Sequence, residues 1–325
     1  MQLWMPKLLV VIALATPSVA LSDVLSLKLE NDVFSGGDDG HYSNGLELAS
    51  TFKPQSDHWT QNIGSLIPGW GPTGVDLAAY RFGHQIYTPD DIEQSELQPE
   101  DRPYAGLMYF GVSVFKNTQL QGWRETGELD IDLGIVGPAT GAEKIQRGVH
   151  HLTGSDEPNG WDHQLHNEPY VNVGFEKRWW LQTKLAGLDL EYGPSAGLTA
   201  GNLYTYAASG MGLRIGQGLE RSYSLPNVAP SFSGNLYFQE GGSFAWYGFA
   251  NLQGRYMAHN MLLDGNTWKD SASVDRREWV GDAQVGVAMI WSQWQAAFST
   301  VWRTREFEGQ NQHDQFGSLA ISTVF

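Results

Sequence analysis

The sequence of 325 residues contains no cysteine, so neither a disulfide nor a thiolate site is possible. Basic residues are also few: 20 Lys and Arg stand against 36 Asp and Glu, giving a formal net charge of −16. This balance argues against nucleic acid as a partner, because phosphate binding needs clustered cationic side chains. After the first 20 residues no stretch approaches about 18 apolar residues, which excludes membrane-spanning helices.

Residues 1–20 have the pattern of a secretory signal peptide. Lys7 is the only charge, an apolar run follows from Leu8 to Ala15, and Ser18-Val19-Ala20 has the small-x-small form of a cleavage site. An uncleaved transmembrane helix is disfavoured because the apolar run is short and Pro17 interrupts it. We therefore predict an exported protein whose first 20 residues are a signal peptide.

Alternation of apolar with polar or small residues recurs along the rest of the chain. Leu25, Leu27 and Leu29, for example, alternate with polar or charged residues. Period-two alternation predicts strands that expose one face to an apolar environment. We predict about twelve strands, near residues 24–32, 42–53, 78–88, 104–117, 121–136, 168–182, 186–201, 204–217, 242–260, 276–292, 293–307 and 314–325. In an exported chain this pattern is typical of outer-membrane barrels.

The predicted fold class is therefore all-β: residues 21–325 form a single transmembrane, antiparallel, up-and-down β-barrel domain. Without spanning helices, only a closed barrel leaves no backbone group unpaired in lipid. The 40 aromatic residues and 38 glycines suit aromatic girdles and tight turns, whereas a secreted β-sandwich would explain the glycines alone. With a periplasmic N-terminus, residues 117–122, 183–187 and 291–294 are short periplasmic turns. The connections 54–77 and 218–241 are long for that side, and the second has no explanation in the sequence.

The longest outer connection, residues 137–167, contains a predicted helix from about Ala142 to Leu152. Gly137-Pro138 precedes the helix, and Gly154 suits its end. Gln146 and His150 are four residues apart and therefore share one face. We expect a short helix in an extracellular loop, with this polar pair on one side.

Four polar segments fall at the same outer end of the predicted barrel. They are Glu30-Asn31-Asp32, residues 41–45, residues 101–106, and the segment from Gln146 to Gln164. Convergence of separate segments on one rim indicates a functional site. Within the third segment, Asp101 and Arg102 are expected to form a structural ion pair.

These segments carry a resemblance to a known family. Together the motifs resemble those of LpxR, the family of outer-membrane lipid A deacylases. They are END at 30–32, HYSNG at 41–45, YTPDD followed by DRPYAG, the helical Gln-x-x-x-His and GWDHQ-x-x-NE. The resemblance implies a twelve-stranded barrel that hydrolyses the ester of the 3′-linked acyloxyacyl chain of lipid A and depends on Ca²⁺. It implies site positions at Asn31, Asp32, Ser43, Gln146, His150 and Asp156. Ser43 stands where threonine is usual, and Asp156 where glutamate is usual.

Residue chemistry gives these positions candidate roles. His150 is the candidate general base for a water molecule, with Gln146 or Asn31 orienting the water or the substrate. Asp32 and Asp156 supply hard oxygen ligands suited to Ca²⁺, and Ser43 offers a hydroxyl and a carbonyl for either role. The expected partner is lipid A or lipopolysaccharide in the outer leaflet, reached sideways from the bilayer by a membrane-embedded monomer near the extracellular face.

Two other functions fit the sequence. His41-x-Ser43 resembles the His/Ser pair of outer-membrane phospholipase A, and neighbours at i and i+2 share a strand face. That interpretation leaves Gln146 and His150 without a role. A non-enzymatic structural barrel or narrow channel is the second alternative, and the Ser43 and Asp156 departures are compatible with it.

Overall fold

The computed structural model describes residues 24–35, 41–65, 67, 70, 74–226, 228 and 236–325, so the expected signal peptide lies outside the described residues. Its strands are β1 Val24–Asn31, β2 His41–Phe52, β3 Leu77–Thr88, β4 Ala105–Leu120, β5 Trp123–Val136, β6 Glu168–Leu185, β7 Leu188–Gly201, β8 Tyr204–Gln217, β9 Ala245–Asn260, β10 Trp279–Trp291, β11 Trp294–Arg303 and β12 Asp314–Val324. The helices are α1 Thr60–Ser65, α2 Ala142–Thr153 and α3 Met261–Asp264. Within the described part of the chain, no helix is long and apolar enough to cross a membrane.

The twelve strands form a closed antiparallel barrel in which each strand pairs with its neighbours in sequence. β1 closes the barrel against β12, in a register that runs from Val24↔Val324 to Asn31↔Gly317. The predicted fold class is confirmed. The predictions for β10 and β11 were too long at one end: these strands begin at Trp279 and end at Arg303, because Arg276 and Phe307 form only an isolated bridge.

The two ends of the barrel differ. One end, here the turn end, carries three of the four two-residue connections, 121–122, 186–187 and 292–293, while the fourth, 202–203, lies at the opposite end. Ala186 and Gly187 have φ of 50° and 86°, the positive values that a type I′ hairpin turn requires. The opposite end, here the loop end, carries longer connections, including residues 89–104 and the segment 137–167 with α2. The predicted sites in Asn31, Asp32, Ser43 and α2 all lie at the loop end.

Side chains alternate between an apolar outer face and a polar lumen. Leu27, Phe110 and Leu252 point outward and are 41%, 68% and 62% exposed. Arg81 and Arg255 point into the lumen and are buried against carboxylates of neighbouring strands. This division is the reverse of a water-soluble protein and suits a barrel surrounded by lipid.

The long connection between β8 and β9 enters the lumen from the turn end. Buried Glu191 binds both Arg124 and Arg214, with Arg124 Nε 2.7 Å from its Oε1. Arg124 also donates to the carbonyl of Tyr223 at 2.9 Å, and Arg214 donates to that of Ser224 at 3.3 Å. The described part of this connection therefore occupies the lumen near the turn end, which explains the length that the sequence left unexplained.

Removing the Glu191 carboxylate should destabilise the barrel strongly. We expect Glu191→Ala to cost about 3–5 kcal/mol, because it leaves two arginines buried without their counter-ion. The matched control is Asp189→Ala, on the same strand as Glu191. It breaks an exposed ion pair with Lys184 and should cost under about 1 kcal/mol. Urea unfolding of the protein in lipid vesicles measures both, and equal losses would contradict the assignment.

Candidate functional site at the loop end

Helix α2 lies against the outside of the barrel wall at the loop end. Gly106 of β4 makes this close approach possible, because a Cβ at that position would lie 2.3 Å from the Cβ of Ala142. Gly106 shares its strand face with the exposed Phe110, and this face points away from the lumen. Ile86, Tyr104, Ala142 and Trp161 form the apolar cluster that holds the helix in place. The helix is therefore positioned where the outer wall of the barrel meets the loops.

The helix turns its polar pair toward the barrel. Gln146 and His150 are 3% and 7% exposed, whereas the neighbouring His151 is exposed. Gly154 ends the helix in the left-handed conformation, with φ of 75°, and its N–H donates to the carbonyl of His150. The shared face of Gln146 and His150 agrees with the sequence-based prediction.

The chain after α2 fixes the orientation of His150. Its Nδ1 lies 2.5 Å from the main-chain carbonyl oxygen of Asp156. A carbonyl oxygen can only accept, so Nδ1 carries the hydrogen and Nε2 is the basic nitrogen of the neutral ring. Asp156 itself is exposed, and this contact joins it to His150 through the main chain. Its carboxylate was expected to bind metal, and that role remains a prediction.

Gln146 is fixed by the loop that returns from α2. Buried Trp161 donates from Nε1 to Gln146 Oε1 at 2.8 Å. This contact settles which end of the amide is the oxygen. Gln146 Nε2 is buried and has no hydrogen-bond partner among the described residues. The amide nitrogen therefore offers donor hydrogens to a water molecule or a substrate oxygen beside His150.

Replacing Trp161 by phenylalanine tests this contact. The change keeps an aromatic ring but leaves Gln146 Oε1 buried without a donor, which costs about 1–3 kcal/mol. For the hydrolytic function proposed below, we expect the rate to fall about tenfold as Gln146 loses its fixed orientation. Steady-state rates in that assay and thermal unfolding measure the two effects. Trp59→Phe, at an exposed position away from α2, is the control, and unchanged kinetics in Trp161→Phe would contradict the role.

The strand side of the site is built from the ends of β1, β2 and β3. Asn31 Nδ2 donates to the carbonyl of Ser43 at 2.6 Å, and Ser43 Oγ lies 2.7 Å from Thr88 Oγ1. A bulge between Tyr42 and Asn44 interrupts the pairing with β3 and accommodates Ser43. Asp32 follows Asn31 directly and is buried. Asn31 therefore contacts Ser43, and Asp32 is the residue next to Asn31 in the chain, while Thr88 gave no signal in the sequence.

Both halves of the site lie at the same end and on the same side of the barrel. α2 packs against β3 and β4, and Thr88 is the last residue of β3. The strand residues are therefore adjacent to the wall that α2 covers. Asn31, Asp32 and Ser43 thus lie at strand ends next to the wall that α2 covers, and Gln146 and His150 lie on the buried side of α2. Asp156 contacts His150 through its carbonyl.

A second polar group at the loop end could hold a metal ion. Ligand atoms of His41, Asp90 and Asp101 lie within 4.8 Å of one another. His41 Nδ1 lies 2.5 Å from Asp314 Oδ1, which directs Nε2 toward the other two carboxylates. Burial acts to raise the pKa of the Asp101 carboxyl, but hydrogen bonds from His41 and from the main chain of Asp90 outweigh it, so the pKa is lowered. Sequence spacing did not reveal this group, because only the fold joins residues 41, 90 and 101.

Two expected pairs are not formed. Arg102 does not pair with Asp101: its guanidinium lies 3.6 Å from Glu306, and Asp101 accepts from the main-chain N–H of Arg102. The pair expected for a serine hydrolase is also absent from the described contacts. His41 contacts Asp101 and Asp314, whereas the hydroxyl of Ser43 contacts Thr88. The bulge at Ser43, between Tyr42 and Asn44, has changed the strand geometry that their spacing assumed.

Comparison with known proteins places the chain in a family. The family model described as "Outer membrane protein LpxR" matches residues 7–325, and no curated protein matches. LpxR from Salmonella typhimurium is similar in structure, with TM-score 0.78, 19% identity, and 93% of this chain and 100% of that chain covered.

Two other barrels are more distant. The β domain of the Bordetella autotransporter BrkA has TM-score 0.44 and 10% identity, with 93% of this chain and 98% of that one covered. The translocator domain of NalP from Neisseria meningitidis has TM-score 0.39 and 8% identity, covering 94% and 90%. Both values are too low to support more than a general likeness. The chain belongs to the LpxR family of outer membrane proteins.

Proposed function

We propose that this protein is a lipid A deacylase that hydrolyses the ester-linked 3′-acyloxyacyl chain, with the loop end facing the cell exterior. Family membership supports a lipid A-modifying hydrolase. The observation that carries the proposal is the orientation of His150 by the Asp156 carbonyl, on a helix packed against the outside of the wall. A base in this position faces the layer where the outer leaflet meets water.

In the proposed reaction, His150 Nε2 takes a proton from a water molecule, and the water oxygen attacks the ester carbonyl carbon. Gln146 Nε2 donates a hydrogen bond that orients the water or the ester. The bond between the carbonyl carbon and the sugar oxygen then breaks, and the imidazolium returns its proton to that oxygen. The products are a sugar hydroxyl and a carboxylic acid, with all atoms supplied by ester and water.

The donor atoms of the strand side fit Ca²⁺. Asp32 supplies a buried carboxylate, and Ser43 supplies a carbonyl and a hydroxyl, all of which are hard oxygen ligands. When bound, Ca²⁺ would polarise the ester carbonyl. Asn31 holds the Ser43 carbonyl in place through its amide, and Thr88 holds the Ser43 hydroxyl. Serine in place of threonine keeps both oxygens.

Substrate would reach this site sideways from the membrane. α2 lies on the outer wall rather than in the lumen, and its exposed residues include Ile145, Val149 and Leu152. Apolar side chains exposed on a wall helix suit contact with acyl chains. A lipid could therefore present its ester without leaving the bilayer, and no buried acyl pocket is needed.

The alternatives lack comparable support. A phospholipase A-like serine hydrolase needs His41 and Ser43 together, and their described contacts lead to other residues. A channel needs an open lumen, whereas described residues of the connection between β8 and β9 lie inside it near the turn end.

Activity of the purified protein on lipid A, with a chelator and with added Ca²⁺, tests the proposal. We expect release of the acyloxyacyl group with Ca²⁺ and its loss with the chelator, restored by adding Ca²⁺ back. Equal activity in both conditions would remove calcium from the proposal, and absence of release in every condition would reject the deacylase.

A further inference from the structure

A groove runs down the outer face of the wall from the loop end of β9, β10 and β11 toward the middle of β7 and β8. Two adjoining cavities of about 790 and 690 Å³ form it, and Gly254 and Gly281 line both. Gly254 of β9 lies directly opposite Gly281 of β10 in the strand register. A Cβ at Gly254 would meet no heavy atom within 4 Å. The groove is therefore a gap in a wall that large apolar side chains otherwise cover.

The half of the groove nearer the middle of the wall exposes mainly apolar side chains, although buried lumen residues such as Asp282 and Arg303 also border it. Met211, Leu252 and Trp302 line it and are 51%, 62% and 38% exposed. All three point outward, because their strand neighbours Gly212, Gln253 and Arg303 are buried. This half offers an acyl chain a surface that a free anion could not use.

The half at the loop end carries positive charge. Arg277, Arg305 and His313 line it, and no carboxylate side chain does, although the whole chain has a formal charge of −16. Arg277 is paired with Glu308 at 2.7 Å. Arg305 makes no ion pair or hydrogen bond with any residue that the structure describes. Arg305 is therefore a cation available to a ligand.

The aromatic residues beside this half indicate its depth in the membrane. Trp279 is 71% exposed and lies edge-on to Tyr256, with ring centroids 5.3 Å apart. Exposed Trp and Tyr on a barrel wall mark the interface between hydrocarbon and headgroups. The cationic half therefore lies at headgroup level and the apolar half at acyl-chain level.

We propose that this groove binds a phosphorylated lipid of the outer leaflet, with a phosphate at Arg305 and an acyl chain against Leu252 and Trp302. The groove is separate from the catalytic site, because α2 packs on β3 and β4 instead. The inference uses the proposed orientation of the loop end but is independent of the deacylase chemistry.

Native mass spectrometry of the full chain with bisphosphorylated lipid A tests the inference. All samples carry His150→Ala so that no lipid is consumed. We expect Arg305→Ala to retain the groove lipid about tenfold more weakly, since it removes a charge-assisted contact. Gly254→Leu should lose that lipid by filling the groove, since a Cβ at this position meets no heavy atom within 4 Å. Lipid A without phosphates should bind to the protein with Arg305 intact as weakly as bisphosphorylated lipid A binds to the Arg305→Ala variant.

The controls are matched by position. Gly248→Leu is on the outer face of the same strand, where a Cβ meets only the carbonyl of Gly286 at 4.0 Å, and Lys53→Ala removes an exposed cation at the turn end. Both should retain lipid like the parent, and heat-modifiable gel migration verifies folding of every variant. Unchanged retention in both Arg305→Ala and Gly254→Leu, or equal binding of dephosphorylated lipid A, would overturn the inference whether or not the protein is a deacylase.

Discussion

Replacing His150 by alanine is expected to reduce hydrolysis of lipid A by about 10²–10⁴-fold, the range that a general base contributes. The buried imidazole is oriented through Nδ1 by the Asp156 carbonyl, and in the proposed reaction Nε2 takes the proton from water. Alanine removes the base and little else, because Gln146 keeps its separate contact with Trp161. Release of the acyloxyacyl group by purified protein in mixed micelles measures the effect.

His151→Ala is the matched control for this prediction. It removes an imidazole from the next position of the same helix, but His151 is exposed and points away from Gln146. Because substitutions at exposed positions have small effects, the rate should change less than about twofold. Ser43→Ala separates the two hydrolase classes: a serine nucleophile would be abolished, whereas the water-based reaction keeps the Ser43 carbonyl and loses only a hydroxyl. An active His150→Ala with an inactive Ser43→Ala would reject the proposed base.

Replacing Asp32 by asparagine is the second large effect expected. The change keeps the size of the buried side chain but removes the negative charge that a divalent cation needs. We expect a loss of about 10²–10³-fold, equivalent to several kcal/mol of electrostatic stabilisation. Excess Ca²⁺ should restore part of the rate if the variant binds the ion more weakly. A calcium titration of the rate measures this shift.

Asp156→Asn shows whether this carboxylate takes part. Its carbonyl holds His150, and the substitution leaves that carbonyl in place. A loss comparable to that of Asp32→Asn would support the metal role that the family resemblance implies. A nearly unchanged rate would restrict Asp156 to orienting the base.

Asp90→Asn probes the second polar group, formed with His41 and Asp101. If Asp90→Asn lost calcium dependence while Asp32→Asn kept it, the metal would be assigned to that group.

The fold could be predicted almost completely from the sequence because lipid imposes a simple pattern. Outward residues such as Leu25 and Leu27 must be apolar, whereas their neighbours Ser26 and Lys28 face the lumen. Each strand can therefore be predicted from its own alternating residues. The helix α2 was also predictable, since Gly154 ends it and its polar pair has helical spacing. Local rules of this kind need no knowledge of distant contacts.

What the sequence could not show depends on contacts between distant residues. Thr88 reaches Ser43 only because a bulge shifts the pairing of β2 and β3. The filling of the lumen by residues after β8 depends on Glu191 joining Arg124 and Arg214 across strands. The sequence predicts a metal-binding role for the Asp156 carboxylate, but the described contact of Asp156 with His150 is through its main-chain carbonyl, which no residue type reveals.

Mass spectrometry of lipid A from cells with and without this protein tests the central claim, an ester-cleaving site between α2 and the outer wall at the loop end. The account predicts that lipid A loses the 3′-acyloxyacyl group when the native protein is present and keeps it when the His150→Ala variant replaces it. Intact lipid A beside hydrolysed phospholipids, or no change in either lipid, would contradict the account.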